Sequence, residues 1–351
     1  MGRTSLIGGI LILLAAFSIV AAGASDTRGM GNPSRSGPDR SVPKNEATSV
    51  AASPSLSGVS GDQSWTLANS ILPAYTFRST VLEVHFQFSV ADEHGRLVTS
   101  LSANDFRIVD DQSAIQRIRQ FSRAEDLPLQ IGILLDVSDS VKKNVVHEKL
   151  ATQFLLQQVL RPQTDRAFLM GFGHDVKVWQ PSTGDLTALL QAVERIQQLG
   201  YTTNLYDGLF SACFGQFPQA REQDGAQRVI VLFSDGEDTD SLHGMPDVIA
   251  LAQRQEIQIF ALSIHPRSKP TPGDEVLRRL ADETGGQFYV ATSDKQLSTI
   301  FTEMEQQMRT QYNVSFQPQK ETPGYHSLRL ELTGPQKMRV RARQGYYFDV
   351  P

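Results

Sequence analysis

Asp136, Ser138 and Ser140 occupy alternate positions of one pentapeptide, Asp136-Val137-Ser138-Asp139-Ser140, and offer a carboxylate and two hydroxyls from a single short loop. All three are hard oxygen donors, a set that suits Mg²⁺ better than a soft metal. Asp and Ser ahead of a helix are also preferred N-caps, so one or two of them would serve equally as helix punctuation. Two later stretches offer oxygen ligands in similar settings. These are Thr203 in Tyr201-Thr202-Thr203-Asn204 and Asp235 in Ser234-Asp235-Gly236-Glu237-Asp238. Five donors on three loops make a cation site only if the fold carries the loops to one edge.

The surrounding elements predict that it does. Leu129 to Leu135 (LQIGILL) is short, branched and almost wholly apolar, as expected of a strand buried on both faces of a parallel sheet. After the pentapeptide, Val146, Leu150 and Phe154 recur four residues apart, with Leu155 and Val159 on the same side, which predicts a helix with that face inward. Strand and helix patterns then alternate through residues 128–317. Arg166 to Phe172 and Val176 to Trp179 form a hairpin with its tip at Gly173-His174-Asp175, and Arg228 to Phe233 (RVIVLF) runs into Ser234 and Asp235. Helices follow over Val248–Gln255, Val276–Thr284 and Gln296–Gln311, with strands at Ile257–Ile264 and Gln287–Ala291 between them. The expected fold is α/β, a doubly wound, mostly parallel sheet with one antiparallel edge hairpin. Successive βα loops of such a sheet emerge on the same side, so the three loops are expected to share an edge.

The flanks read differently. Leu82, Val84, Phe86, Phe88 and Val90 alternate with polar residues, the mark of a half-buried strand, and a turn at Asp92 to Gly95 leads to a return at Arg96-Leu97-Val98. A second strand pair is expected around Phe106–Val109 and Ile115–Phe121. Alternation returns at Leu328, Leu330 and Leu332, and again at Met338, Val340 and Ala342 after Gly334-Pro335. Neither group has enough strands to stand alone, so the two are expected to pair into one β-sandwich with the α/β domain inserted. The expected division is a signal peptide at 1–24, a disordered linker at 25–70, sandwich parts at 71–127 and 318–351, and the α/β domain at 128–317.

Composition narrows the classes of function. The 351 residues are 40% hydrophobic and 20% charged, ordinary for a globular chain, and the net charge of -5 gives no general attraction to nucleic acid or anionic membrane. Cys213 is the only cysteine, which excludes internal disulfides and zinc sites built on several thiolates. Its place between Phe210 and Phe214 on a helix predicts a buried apolar thiol rather than a nucleophile. Seven histidines are scattered without ligand-like pairing; His85 and His94 are expected in solvent. Arg339, Arg341 and Arg343 predict the exposed face of a strand. At the N-terminus, Arg3, the apolar Leu6–Ala21 and the small residues Ala22-Gly23-Ala24 predict an export signal and a secreted or periplasmic protein. An uncleaved membrane anchor is the alternative, since the apolar stretch is close to the length of a span.

At these residues the chain resembles the von Willebrand factor A domain, whose metal-ion-dependent adhesion site is written D-x-S-x-S, a distant Thr and a distant Asp. The first element stands here as DVSDS and the last as FSDGEDT, Phe233 to Thr239, with Asp235 the matching carboxylate. The middle element is usually Gly-Gly-Thr. Here Thr203 aligns by its distance from Leu205, and Thr202 stands as the alternative. Asp139 takes a place that is often Gly. The segments GRLVTSLSANDFRIVDD, VIVLFSDGEDT, LADETGGQFY and RVRARQGYYF extend the likeness to exported bacterial proteins of the von Willebrand factor A-related type, known especially from acidobacteria.

The resemblance implies Mg²⁺ or Mn²⁺ held by Asp136, Ser138, Ser140, Thr203 and Asp235, with one coordination position left for an Asp or Glu of an extracytoplasmic protein partner. It also raises movement of the helix Gln296–Gln311 on ligand binding. The expected role is binding or adhesion without turnover. Two alternatives stay open. One is a metal-independent scaffold or assembly factor of an envelope complex. The other is a Mg²⁺-dependent phosphohydrolase, because an Asp after a buried strand is also where aspartyl-phosphate chemistry starts; against it, Ser138 stands where a second acid is usual.

Overall fold

The computed structural model describes residues 83–115, 117–138, 145–217, 226–264, 270–320, 322–333 and 337–348. The signal and linker expectations for 1–70, and Ser140 with Asp139, lie outside these residues. Everything described belongs to one unit, Tyr75–Pro351.

The chain enters through β1 (Val84–Ala91), a short 3-10 turn at Ala103–Asp105, β2 (Phe106–Asp110), β3 (Ser113–Ala114) and β4 (Ile118–Ala124). The α/β part follows with β5 (Leu129–Asp136), α1 (Val145–Val159), β6 (Arg166–Phe172), β7 (Val176–Thr183), α2 (Leu186–Arg195) and α3 (Leu205–Gly215). It continues through β8 (Gln227–Phe233), α4 (Met245–Gln255), β9 (Ile257–Ile264), α5 (Pro272–Thr284), β10 (Phe288–Ala291) and α6 (Asp294–Arg309). Four strands close the chain: β11 (Gln311–Phe316), β12 (Gly324–Leu332), β13 (Arg339–Ala342) and β14 (Gly345–Phe348).

The six-stranded sheet runs β10-β9-β8-β5-β6-β7, parallel except for β7, which turns back along β6 as the hairpin signal predicts. Strand order reverses between β5 and β8, the two strands that carry the acidic loops, and the carboxyl ends at such a switch point form a crevice. One face of the sheet packs against α1, α2 and α6, and the other against α3, α4 and α5. Gly132 in β5 makes room for a neighbour, because a Cβ there would meet the Phe168 ring at 2.4 Å.

The inward face of α1 differs from the periodicity reading. Val146, Leu150 and Phe154 are 65%, 57% and 39% exposed, whereas Glu148, Ala151, Thr152, Leu155, Leu156 and Val159 are buried. Leu155 and Val159 lie across the helix from Val146 and Leu150, and it is their side that packs on the sheet.

The terminal strands form two four-stranded antiparallel sheets, β13-β1-β11-β4 and β14-β12-β2-β3. Phe86, Phe88, Phe106, Tyr312, Phe316, Tyr346 and Phe348 fill the space around them. N- and C-terminal strands pair, as the two amphipathic groups predict, but the partners cross. The expected pair around 106–121 is divided, with β2 beside β12 and β4 beside β11 in the other sheet. The return at Arg96–Val98 is an isolated bridge, Ala91 to Leu97. β11 belongs to the sandwich rather than the α/β sheet, pairing with β1 and β4. Arg343 is not on an exposed face either: it is buried and donates from Nη1 to the Gln253 carbonyl (3.0 Å) and from Nη2 to the His85 carbonyl (2.6 Å), joining the sandwich to α4.

Candidate metal centre

Asp136 is the last residue of β5, held between β6 and β8 and fully buried. Its Oδ1 accepts from the Ser138 backbone N–H at 3.1 Å and from the Ser138 hydroxyl at 2.6 Å. Its Oδ2 accepts from the Ser234 hydroxyl at 3.2 Å, which ties the first loop to the third. Ser234 Oγ in turn accepts from Gly236 N–H at 3.0 Å, and Asp235 Oδ1 accepts from Glu237 N–H at 3.1 Å. Gly236 has a φ of +81°, and a Cβ there would meet the Gly273 carbonyl oxygen at 2.2 Å. Only glycine fits this turn against the start of α5.

The second loop is laced to both others. Thr203 is 2% exposed, its N–H donates to Thr239 Oγ1 at 2.9 Å, and its carbonyl accepts from Thr239 N–H at 2.9 Å. Leu199 N–H donates to the Val137 carbonyl at 3.0 Å, and Asn204 N–H to the Gly173 carbonyl at 3.0 Å. The hydroxyl of Thr202 is engaged with His174 Nδ1 at 3.1 Å. A further brace runs from α3, where Asp207 accepts from the backbone N–H groups of Leu242 and His243, both at 3.0 Å. His243 stacks on Phe210 with ring centroids 3.7 Å apart.

Four of the five sequence-predicted donors, Asp136, Ser138, Thr203 and Asp235, therefore lie on three loops joined by hydrogen bonds at the switch point. The fifth, Ser140, lies outside the described residues. Sequence reasoning missed three contributors. Ser234 and Thr239 sit inside the FSDGEDT stretch and bind the loops to one another, and Glu148 stands in the first turn of α1 with 3% exposure.

The electrostatics are those of crowded acid. Burial, and after the opposing Ser138 hydrogen bond the nearby charge of Asp235, push the Asp136 carboxyl up to about 7. Burial and the charges of Asp136 and Asp235 push Glu148 well above the usual carboxylate range, and its Oε2 has no hydrogen-bond partner among the described residues. Among the described residues, the groups acting on Asp136 are hydroxyls, a backbone N–H and another carboxylate. This donor set, rich in oxygen and short of positive charge, fits a hard divalent cation.

A second cluster lies away from these loops, in the sandwich. Ligand atoms of Asp110, Asp111 and His326 all fall within 4.8 Å of one another. No local motif marks it, because His326 is more than 200 residues from the two acids. Cys213 is buried as expected, and burial pushes its thiol up to about 12.

Comparison with known proteins places these features. Over 205 residues the chain is 27% identical to a UPF0353 protein of Mycolicibacterium vanbaalenii, a match covering 51% of this chain and 60% of that one. The chain thus spans about 60% of the length of the curated relatives it matches. Among solved structures it is similar to the conserved hypothetical protein BatB of Bacteroides thetaiotaomicron (TM-score 0.41, 17% identity, 50% of this chain and 96% of that one). It is also similar to proximal thread matrix protein 1 of the mussel byssus, solved with a zinc-occupied MIDAS motif (TM-score 0.43, 17% identity, 52% and 48%). Residues 130–303, which hold the Asp136, Thr203 and Asp235 loops, match the von Willebrand factor type A domain family. The chain is a von Willebrand factor type A domain protein.

Proposed function

We propose that this protein is an exported, metal-dependent binding module that recognises an acidic side chain of an extracytoplasmic protein partner through a divalent cation. Asp136, Ser138, Ser140, Thr203 and Asp235 would hold Mg²⁺ or Mn²⁺, and the ion would supply a Lewis-acidic position for the partner's carboxylate. The observation that carries the reading is Asp136, a fully buried carboxylate ringed by hydroxyls and pushed up to about 7 by burial and by Asp235. Such a group is costly without a counter-charge. Thr203 is favoured over Thr202 as ligand because the Thr202 hydroxyl is engaged by His174 while Thr203 is buried beside the third loop. Tyr201 and Leu242, 86% and 94% exposed, stand on the second loop and just past the third, apolar surface of the kind that anchors protein interfaces. The module needs no turnover. A metal-independent scaffold is the second reading.

Water proton relaxation of the Mn²⁺-loaded protein tests the proposal. Bound Mn²⁺ with an exchangeable water enhances relaxation, and a short peptide with a single Asp side chain should lower the enhancement, whereas its Asn counterpart should not. Absence of any Mn²⁺-dependent enhancement would favour the scaffold reading.

A further inference from the structure

We propose that Asp110, Asp111 and His326 form a second divalent-cation site of the zinc class, a staple between the N-terminal and C-terminal strands of the sandwich. Asp110 ends β2 and Asp111 follows it, while His326 lies on β12, the strand paired with β2. Asp110 and His326 are 3% and 2% exposed. A carboxylate and an imidazole this deeply buried are each expected to be satisfied.

Two carboxylates converge on one of the two imidazole nitrogens. Nε2 lies 2.8 Å from the Thr322 carbonyl, which can only accept, so that nitrogen carries a proton. Nδ1 is buried 2.8 Å from Asp111 Oδ2, an ion pair when the ring is protonated, and 4.0 Å from Asp110 Oδ1. In the neutral ring a lone pair therefore faces two carboxylates. A cation between them resolves the conflict. Ligands about 2.0–2.1 Å from a tetrahedral zinc stand about 3.3 Å apart, a value bracketed by the two observed separations.

The outer contacts are those that a metal site uses to orient its ligands. The Thr322 carbonyl fixes the tautomer of His326. Ser327 donates its backbone N–H (2.9 Å) and hydroxyl (3.2 Å) to Asp111 Oδ1, leaving Oδ2 turned to the histidine. The Tyr346 hydroxyl donates to Asp110 Oδ1 at 3.1 Å, and the Tyr346 ring stacks on His326 with centroids 5.1 Å apart. One nitrogen and two carboxylates make a borderline donor set, which selects Zn²⁺ or Co²⁺ over Mg²⁺. The Asp111 side chain, 34% exposed, opens the site to solvent.

The test uses the full chain, stripped of metal and carrying Asp136→Ala so that the von Willebrand factor type A loops are silenced. Zn²⁺ is titrated in competition with a chromophoric chelator, and Co²⁺ is followed by its visible absorption. The expected result is one equivalent of Zn²⁺ per chain, a Co²⁺ spectrum of low-coordinate intensity, and a higher melting temperature with Zn²⁺. Adding His326→Gln should weaken Zn²⁺ by at least a hundredfold and Asp111→Asn by at least tenfold. Asp111 is partly exposed, so its variant decides the matter if His326→Gln does not fold. No Zn²⁺ binding in the Asp136→Ala chain, or binding that both variants leave unchanged, would overturn the proposal without touching the first site.

Discussion

Asp136 is a residue at which the chemistry of the site costs the fold stability. An unperturbed Asp titrates near 3.9, whereas in the folded chain this carboxyl is pushed up to about 7 by burial and by Asp235. The folded state therefore holds a proton that the unfolded chain has released, and the group destabilises the metal-free protein progressively as pH rises from about 4 through 7. Asp136→Asn should accordingly raise the melting temperature in chelator at pH 7.5 by roughly 3–8 °C, with the gain shrinking towards pH 4.5. Thermal melts at the two pH values check this, and an equal or lower melting temperature at pH 7.5 would refute it. Glu148, pushed well above the usual carboxylate range by burial and the same two charges, gives a companion prediction. Glu148→Gln puts an uncharged amide where burial disfavours a charge and should shift the metal-free melting temperature by no more than about 2 °C. A large loss would mean that the carboxyl is ionised. Asp136, Ser138, Thr203 and Asp235 were legible as candidates because each lies in a short motif at a strand end or a helix start. Glu148 was not, because a glutamate in a helix reads as solvated until the packing of that helix is known.

At the scale of elements, order and type were readable and orientation was not. The run Leu129–Leu135 and the run Arg228–Phe233 announce buried parallel strands by composition alone, and both are buried along nearly their whole length. The inward face of α1 was misread because Leu155 and Val159, grouped with Val146, Leu150 and Phe154 by apolarity, lie across the helix from them at about 100° per residue, on the side that the sheet covers. The helices are then pinned by a buried pair that no motif marks. Arg309 at the end of α6 donates to Asp165 at 2.6 Å and to the Val159 carbonyl at 2.6 Å, and Asp165 also accepts from Leu129 N–H at 3.0 Å. Against the cost of burial, Arg309 and the backbone donors hold Asp165 below the usual carboxylate range. Its stabilisation is thus fully present above about pH 4 and is lost as pH falls through the lower folded value. Arg309→Ala leaves that carboxylate buried and unpaired and should cost about 3–5 kcal/mol in denaturant unfolding. A loss under about 1 kcal/mol would place the pair among ordinary surface bridges. The third loop has its own pin. Gly236→Ala would press a methyl group into the Gly273 carbonyl and should weaken cation binding about 10–100-fold, read by titration, with a smaller effect on folding.

In the whole molecule the two ends of the chain complete one another. β1 lies between β11 and β13, and β12 joins β2 to β14, so neither terminal group has a sheet without the other. Both groups are amphipathic in the sequence, but pairing partners 187 residues or more apart, as Gln311 is from Ala124, leave no local trace, and alternation alone is the same for either sheet. A fragment of residues 128–317 would retain β11 and lose both its neighbours, β1 and β4, leaving Val314 and Phe316 uncovered. It should melt lower than the full chain and aggregate at lower concentration, as static light scattering would report. Equal behaviour would mean that the sandwich contributes little to the stability of the α/β part.

The central claim is the cation at the switch-point loops, and calorimetric titration of Mg²⁺ and Mn²⁺ tests it most directly. The chain is titrated beside Asp136→Ala and Thr203→Ala, all freed of metal beforehand. Saturable binding of one ion in the wild type, absent in Asp136→Ala and strongly weakened in Thr203→Ala, is the predicted result. No heat at millimolar metal in the wild type, or binding that survives Asp136→Ala, would contradict the account.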